Sequence, residues 1–573
     1  MTRIHTISAK GAKTVLRTAV CMLLLTAMLV ALGTTARGFT PTVTTLRIGL
    51  FYGSSALPSA NLQNVDNYGN GYEFGYFDDD RNFVSLGATT SETKISVMRD
   101  RNMTYTSGGY VPGSTGDAVV GCYHVQISGE YPDYYGARVA ADQYDGAFIK
   151  YDNGVFRVMV GDYISATDAQ NALSSRGLNG TITSGTTSTI AVAATGTGRV
   201  IFEFDGGAAR GLGVMPVSST GAKCQTWCKG YRYYGGFQYT RRDGGDLTVL
   251  SMVNIEDYVK GLLPYEMAPN WPLEALKAQA LCARTYAASK LGAHKGDGFD
   301  LCTTEHCQVY HGTGNANETT NRAVDETTGL YITYNGELCE TYYSSSDGGA
   351  TESSENVWAL ARPYLRGVID PYEVAAAGDI PRYYWTVKYT PDELAARLRS
   401  RGYNCSAISS LSVEYTAIGN VYRVTLRDTN GSKFTFTKGD SIRSVLGVRS
   451  IRFAVGGASI PGATDEVYIN GESGILAGGT SSSYAIGADG TPQLIQGGSV
   501  YAVTGDGDIE AIGKRDTTGS SDGKVNGVFV ISGAGNGHNV GMSQWGAFAM
   551  DKYHNKTYDE IIRFYFTGVE ITG

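Results

Sequence analysis

Four short segments of the 573-residue chain carry residues whose types and spacing could do chemistry. The first holds Glu266, set between Tyr265 and Met267. Aromatic and apolar neighbours desolvate a carboxyl and favour its neutral, proton-donating form. The spacing puts Glu266 in a loop just ahead of a helix, whose N-terminus would pull the other way. Glu274, in the first turn of that helix, is a rival carboxylate, though its ordinary role there is to complement the helix dipole. The second segment is Cys302-Thr303-Thr304-Glu305-His306-Cys307. Two thiols and an imidazole in six residues suit zinc, with His294, His311 or water as a fourth ligand. The competing reading is a Cys302–Cys307 disulfide closing a small loop. The third, Tyr343-Ser344-Ser345-Ser346-Asp347-Gly348-Gly349, offers hydroxyls and a closely approaching backbone to sugar hydroxyls. The fourth is a Gly-rich turn at 535–541 running into a helix that starts near Ser543, with His538 and Gln544 beside the junction. His538 could orient a carboxyl or a substrate there.

These residues need elements to hold them. A helix is expected from about 270 to about 291, capped by Asn270 with Pro272 in its first turn. Leu273, Leu276, Ala280, Ala283 and Ala287 give it one buried stripe. Arg284 falls at the edge of that stripe, in reach of a groove or of a salt bridge. Upstream, 44–97 alternates short apolar runs with turns and reads as strands. The Gly/Ser/Thr-rich stretches 98–121 and 176–198 read as linkers. Between them, 122–175 reads as strand, helix, two strands, helix, an α+β pattern. The remainder, 199–573, alternates strands and helices. The fold class is therefore α+β and multi-domain, strand-rich with one central helix. Ahead of it all, Arg3, Lys10, Lys13 and Arg17 precede a fifteen-residue apolar run at 19–33. That pattern makes 1–36 a signal peptide or an N-terminal anchor, and gives the membrane no other point of contact.

Composition narrows the partners. The net charge is −8, with 47 Lys+Arg against 55 Asp+Glu, so no basic excess exists to neutralise nucleic acid. Hydrophobic residues are 42%, enough for several buried cores. Gly at 75 and Tyr at 39 suit strands, turns and sugar-facing surfaces.

Taken together the segments resemble the SpoIID/LytB family. The resemblance rests on Tyr258-Val259-Lys260-Gly261, Glu266-Met267, the run from Trp271 to Tyr286, the Ser/Gly loop with Glu352 and Trp358, and the stretch from Gly537 to Ala547. Two departures stand out: Asn539 where the family pattern has Gly, and the acidic Asp347 in the Ser/Gly loop. The resemblance implies a peptidoglycan lytic transglycosylase acting on glycan strands stripped of stem peptides. It puts the catalytic carboxyl on Glu266 and the substrate contacts on Tyr265, Arg284, Tyr343, Ser344, Ser345, Ser346, Gly348, Gly349, His538 and Gln544. A structural zinc, as some members hold, would fall on Cys302, His306 and Cys307. The 122–175 unit is similar to a SPOR glycan-binding module, through Tyr123-His124-Val125-Gln126-Ile127 and Phe156-Arg157-Val158-Met159-Val160. Related proteins also act on a cell-wall amidase, so a non-catalytic glycan binder or amidase activator is the rival reading, and a structural exoprotein a further one.

Overall fold

The computed structural model describes residues 44–460 and 520–573, together with the backbone of short strand pairs between Val467 and Ile512. The expected export segment 1–36 lies outside the described residues. Among the described residues no helix is long and apolar enough to cross a membrane. Helices and many strands form several sheets, a mixed α+β architecture.

A seven-stranded sheet carries the site. Its order is Leu301–Cys302, Thr45–Phe51, Leu247–Asn254, Gly236–Arg241, Leu212–Pro216, Tyr72–Phe77, Phe83–Thr90. Thr45–Phe51 runs antiparallel to Leu247–Asn254 and parallel to Leu301–Cys302. Leu46 and Ile48, two residues apart, share one fully buried face. The short edge strand Leu301–Cys302 thereby fixes where the Cys/His loop begins.

Helix α1 (Ile255–Glu266) follows directly from Leu247–Asn254. Asn254 caps it by accepting from the Glu256 N–H at 2.9 Å, and Glu256 and Asp257 complement its N-terminus. Pro264 sits in the last turn, and the helix stops two residues later at Glu266. Helix α2 (Leu273–Ser289) is buried on nearly every side, which its run of alanines permits. The expected single stripe is thus too narrow: α2 is the central helix of the lobe, packed against α1 and the helices at 318–325, 544–554 and 558–565. Asn270 does not cap α2. Asp551 does so from a distant segment, its Oδ2 accepting from the N–H groups of Glu274 at 2.8 Å and Ala275 at 3.1 Å.

The second large sheet has ten strands, in the order Gly180–Ser184, Tyr123–Ile127, Val155–Tyr163, Ala147–Asp152, Val200–Asp205, Ile190–Ala194, Lys94–Arg99, Ser59–Asn64, Thr226–Cys228, Tyr231–Tyr233. Both stretches expected as linkers are folded into sheets. The 176–198 stretch contributes two of these strands, and Ile190–Ala194 is buried at every residue. The 98–121 stretch folds into a three-stranded sheet whose Met103, Tyr110 and Val120 pack on Phe148 and Met159. The 122–175 unit does show the strand, helix, strand, strand, helix succession. It is continuous with the rest, because Ala147–Asp152 pairs in parallel with Val200–Asp205. A buried His124–Glu203 ion pair at 2.9 Å joins it to the same strand.

A second core lies inside the 199–573 region. Strands Tyr384–Tyr389, Val528–Ala534 and Phe453–Val455 pair with one another, and the meander of Ile408–Tyr415, Val421–Asp428 and Lys433–Thr437 packs beside them. Helix α3 (Gly439–Leu446) covers this core with Ile442 and Leu446. Helix α4 (Gln544–His554) returns the chain to the first lobe.

Candidate active site

A cleft of about 820 Å³ is walled by α1, the loop after Cys302, the Ser/Gly loop, the Gly-rich turn ahead of α4, and α3 of the second core. Glu266 is part of its lining. It is the last residue of α1, not a loop residue, which reverses the expected electrostatics. A helix C-terminus disfavours negative charge, and the α2 N-terminus is already occupied by Asp551. Burial raises the Glu266 carboxyl to about 7. Donors from Tyr343, Gln544 and the Val309 backbone oppose the rise, and Glu305 adds to it.

The donors themselves are held by a chain of buried amides. Tyr258 donates to Gln308 Oε1 at 3.1 Å, and Gln308 Nε2 donates to the Tyr343 hydroxyl at 3.0 Å. Gln544 Nε2 reaches Gln279 Oε1 on α2 at 3.5 Å. Tyr343 and Gln544 are brought together by backbone: Tyr343–Ser344 pairs in parallel with Met542–Ser543, with Ser543 capping α4 through the Gly546 N–H.

One wall is aromatic. Tyr342 and Trp358 lie 4.6 Å apart between centroids, and Trp358 and His538 5.0 Å. Burial lowers His538 to about 4, so the ring is neutral; its Nδ1 accepts from the Val540 N–H at 3.0 Å. His538 faces the cleft and bonds backbone rather than orienting the Glu266 carboxyl. On the far rim Asp440 accepts from Trp358 Nε1 and from Arg443, both on side chains of α3 or facing it.

Ser344, Ser345, Tyr343 and Gln544 line the cleft, and so do His306 and Cys307. Five other expected contacts do not. Arg284 is fully buried and bonded to Glu256 of α1 through Nε at 2.9 Å and Nη2 at 2.7 Å. It is a brace between α1 and α2. Ser346, Gly348 and Gly349 turn inward: Ser346 Oγ and the Gly348 N–H donate to buried Glu373, and the Gly349 N–H donates to Asp347. Gly348 has φ +73 and a Cβ there would meet the Ala534 carbonyl at 2.5 Å, so the glycine serves the turn. Tyr265 stands against His311, centroids 5.3 Å apart, outside the cleft. Glu274 bonds Lys277 and the Tyr558 N–H. The two departures from the family pattern touch each other: Asn539, in the left-handed region at φ +63, donates its side-chain amide to the Asp347 carbonyl.

Sequence reasoning missed Gln308, Val309, Asp440 and Arg443. Gln308 and Val309 had a usable signal, since they follow Cys307 directly. Asp440 and Arg443 had none.

His294, Cys302, His306 and Cys307 offer four donor atoms within 4.8 Å of one another. His294 Nε2 is 3.3 Å from Cys307 Sγ, and His306 Nδ1 is 3.7 Å from Cys302 Sγ and 3.5 Å from Cys307 Sγ. Zinc bonds of about 2.0–2.3 Å give tetrahedral edges of about 3.3–3.8 Å, so this donor set fits the ion. His294, not His311, completes it. The eight described cysteines, Cys302 and Cys307 among them, are unpaired in this structure.

The sequence model of the stage II sporulation protein (SpoIID) matches residues 243–334, the stretch that holds Glu266 and all four of these donors. An uncharacterized protein of Brachyspira hyodysenteriae is 31% identical over 344 residues, covering 60% of this chain and 73% of that protein. The amidase enhancer of Bacillus subtilis is 30% identical over 319 residues, covering 55% of this chain and 40% of that protein. Stage II sporulation protein D of Bacillus subtilis is 27% identical over 337 residues, covering 56% of this chain and 75% of that protein. With a match that runs through both α1, which ends at Glu266, and α2, and relatives that cover more than half of the chain, the chain belongs to the SpoIID family.

Proposed function

We propose that this protein is a lytic transglycosylase that cuts the MurNAc–GlcNAc bond of peptidoglycan strands outside the cytoplasmic membrane. The observation that carries the reading is Glu266, a carboxyl with a raised pKa of about 7 in a cleft with an aromatic wall. Protonated Glu266 gives its proton to the glycosidic oxygen as the C1–O bond breaks. The C6 hydroxyl of the same MurNAc then bonds to C1, and the Glu266 carboxylate takes the proton that this hydroxyl releases. The carboxyl is regenerated, no water is consumed, and the product is a 1,6-anhydro end. The Tyr342, Trp358 and His538 rings supply faces for stacking sugars.

Digestion of strands freed of stem peptides, read by mass spectrometry, tests this. Anhydro-muramyl ends are expected. Reducing ends would instead mean hydrolysis, which needs a second carboxylate, and Glu305 on the cleft lining would be the one to examine.

The likeness to an amidase enhancer favours a second reading: the same cleft grips glycan on behalf of a cell-wall amidase without cutting it. Intact strands that co-sediment with the protein would put that reading first. In either case the 122–175 unit is proposed as a SPOR-like holder of the same glycan, raising its local concentration.

The reading includes one structural zinc held by His294, Cys302, His306 and Cys307, whose contribution when bound is to brace the 302–309 loop. That loop carries the Val309 backbone to Glu266 and Gln308 to the Tyr343 hydroxyl. One zinc per chain is expected by elemental analysis. Cys307→Ser should lose it and lower turnover by about tenfold through loosened positioning. Metal-free wild-type protein with full turnover would remove zinc from the reading.

A further inference from the structure

Behind the Ser/Gly loop lies a buried group that the transglycosylase reading does not use. Asp347, Asp370 and Glu373 place carboxylate oxygens within 4.8 Å of one another, and all three are at most 3% exposed. The spacing would suit a cation, but the hydrogen bonds argue against one. Glu373 Oε1 accepts from Ser346 Oγ at 2.7 Å and the Gly348 N–H at 2.8 Å. Its Oε2 accepts from the Asp347 N–H at 2.9 Å and from Ser543 Oγ. Four donors fill the four acceptor directions of a carboxylate and leave none for a metal. Asp370 is likewise engaged by Tyr565 and by the N–H groups of Tyr372 and Glu373. Buried Arg452 spends its Nε and Nη1 on the carbonyls of Gly348 and Ile418.

The four donors to Glu373 come from two separate segments, and each segment carries one donor to Glu266. Ser346, Asp347 and Gly348 follow Tyr343 by three to five residues. Ser543 precedes Gln544 and caps α4. Tyr343–Ser344 and Met542–Ser543 are already paired as strands, and Glu373 ties both at the end of that pairing. We propose that Glu373 is a positioning residue, a single buried carboxylate that sets where Tyr343 and Gln544 meet the Glu266 carboxyl.

The neighbouring carboxyls fit this role. The Asp347 side chain lies within hydrogen-bonding reach of the Asp370 carboxylate, a contact that a protonated Asp347 makes as donor. Burial and its acidic neighbours hold the Asp347 carboxyl well above the usual range, so it stays protonated. Burial raises Glu373 to about 6 only, because its hydroxyl and N–H donors favour the charged form. Near neutral pH Glu373 is therefore the anion that the four donors require.

The inference rests on the transglycosylase reading, and the test separates the two. Glu373→Gln presents an amide NH₂ where two donors need an acceptor. Turnover on stem-free strands is expected to fall about 10- to 100-fold with little change in KM, as misplacement rather than lost binding predicts. Loss of the Tyr343 and Gln544 donors should also move the Glu266 titration upward, read by ¹³C NMR of labelled glutamate and assigned with Glu266→Gln. A Glu373→Gln protein with wild-type turnover and an unmoved Glu266 titration would overturn the proposal, whatever its melting temperature. If Glu373→Gln does not fold, Ser346→Ala removes one donor and is judged by the same two readings, with a smaller change expected. Should the wild type make no anhydro ends, the transglycosylase reading fails alone, and the Glu266 titration still decides the role of Glu373.

Discussion

Replacing Glu266 by Gln should abolish strand cleavage, with a fall in turnover of roughly 10²- to 10⁴-fold and KM nearly unchanged. The carboxamide keeps the size and planarity of the side chain and loses only the transferable proton. The wild-type pH profile should fall on the alkaline side above about 7, where the acid has given up its proton. Stability carries the same signature with a definite sign. The folded-state value of about 7 is above the ordinary 4.5, so the folded chain binds more protons than the unfolded chain between these limits. Stability therefore drops as pH rises from about 4.5 to 7, by at most about 3–4 kcal/mol, and Glu266→Gln removes that share of the drop. Thermal melts at pH 5 and pH 8 on both proteins check it. An active Glu266→Gln protein would strip the site of its acid.

The second large effect lies at the brace. Glu256→Ala strands a guanidinium that is fully buried and otherwise reaches only the Leu330 and Val324 carbonyls and the Thr327 hydroxyl, at 3.3–3.4 Å. Removing one partner of such a pair costs about 3–5 kcal/mol, and partial exposure of Glu256 argues for the lower end. Urea unfolding should show that loss, and the double variant Glu256→Ala/Arg284→Met should recover part of it. Turnover of the folded fraction should stay near wild type. Lost turnover at unchanged stability would mean that Arg284 touches substrate after all.

What the sequence made legible divides along a physical line. Glu266, Tyr343, Ser344, Ser345, His538 and Gln544 meet in one cleft because short motifs at turns and helix ends carry them, and such motifs are visible in one dimension. Ser346, Gly348 and Gly349 sit in the same motif yet turn inward, the first two to Glu373 and the third to Asp347, since a tight turn sends successive groups to opposite sides. For Arg284 the sequence leaves a groove contact and a salt bridge both open, because only the fold brings its partner, Glu256, beside it on an adjacent helix. The strand Ile190–Ala194 was hidden by its small side chains, which resemble a linker by composition and are buried in a sheet by pairing. Asp440 and Arg443 enter the cleft from the other core, about a hundred residues beyond the Ser/Gly loop, where no local pattern could announce them.

The strand Thr45–Phe51 has one more consequence, for the newborn chain. Both of its neighbours in the sheet, Leu247–Asn254 and Leu301–Cys302, come some 200 residues or more later. At about 5–20 residues per second, synthesis leaves the first strand with both edges unpaired for about 10–50 s. Nothing local can satisfy those edges, and closing so large a loop is the entropic toll of placing the first strand beside the Cys/His loop. The N-terminal third of the chain must therefore be kept from sticking to other chains until residue 302 has emerged, and the sheet that seats Glu266 can close only then.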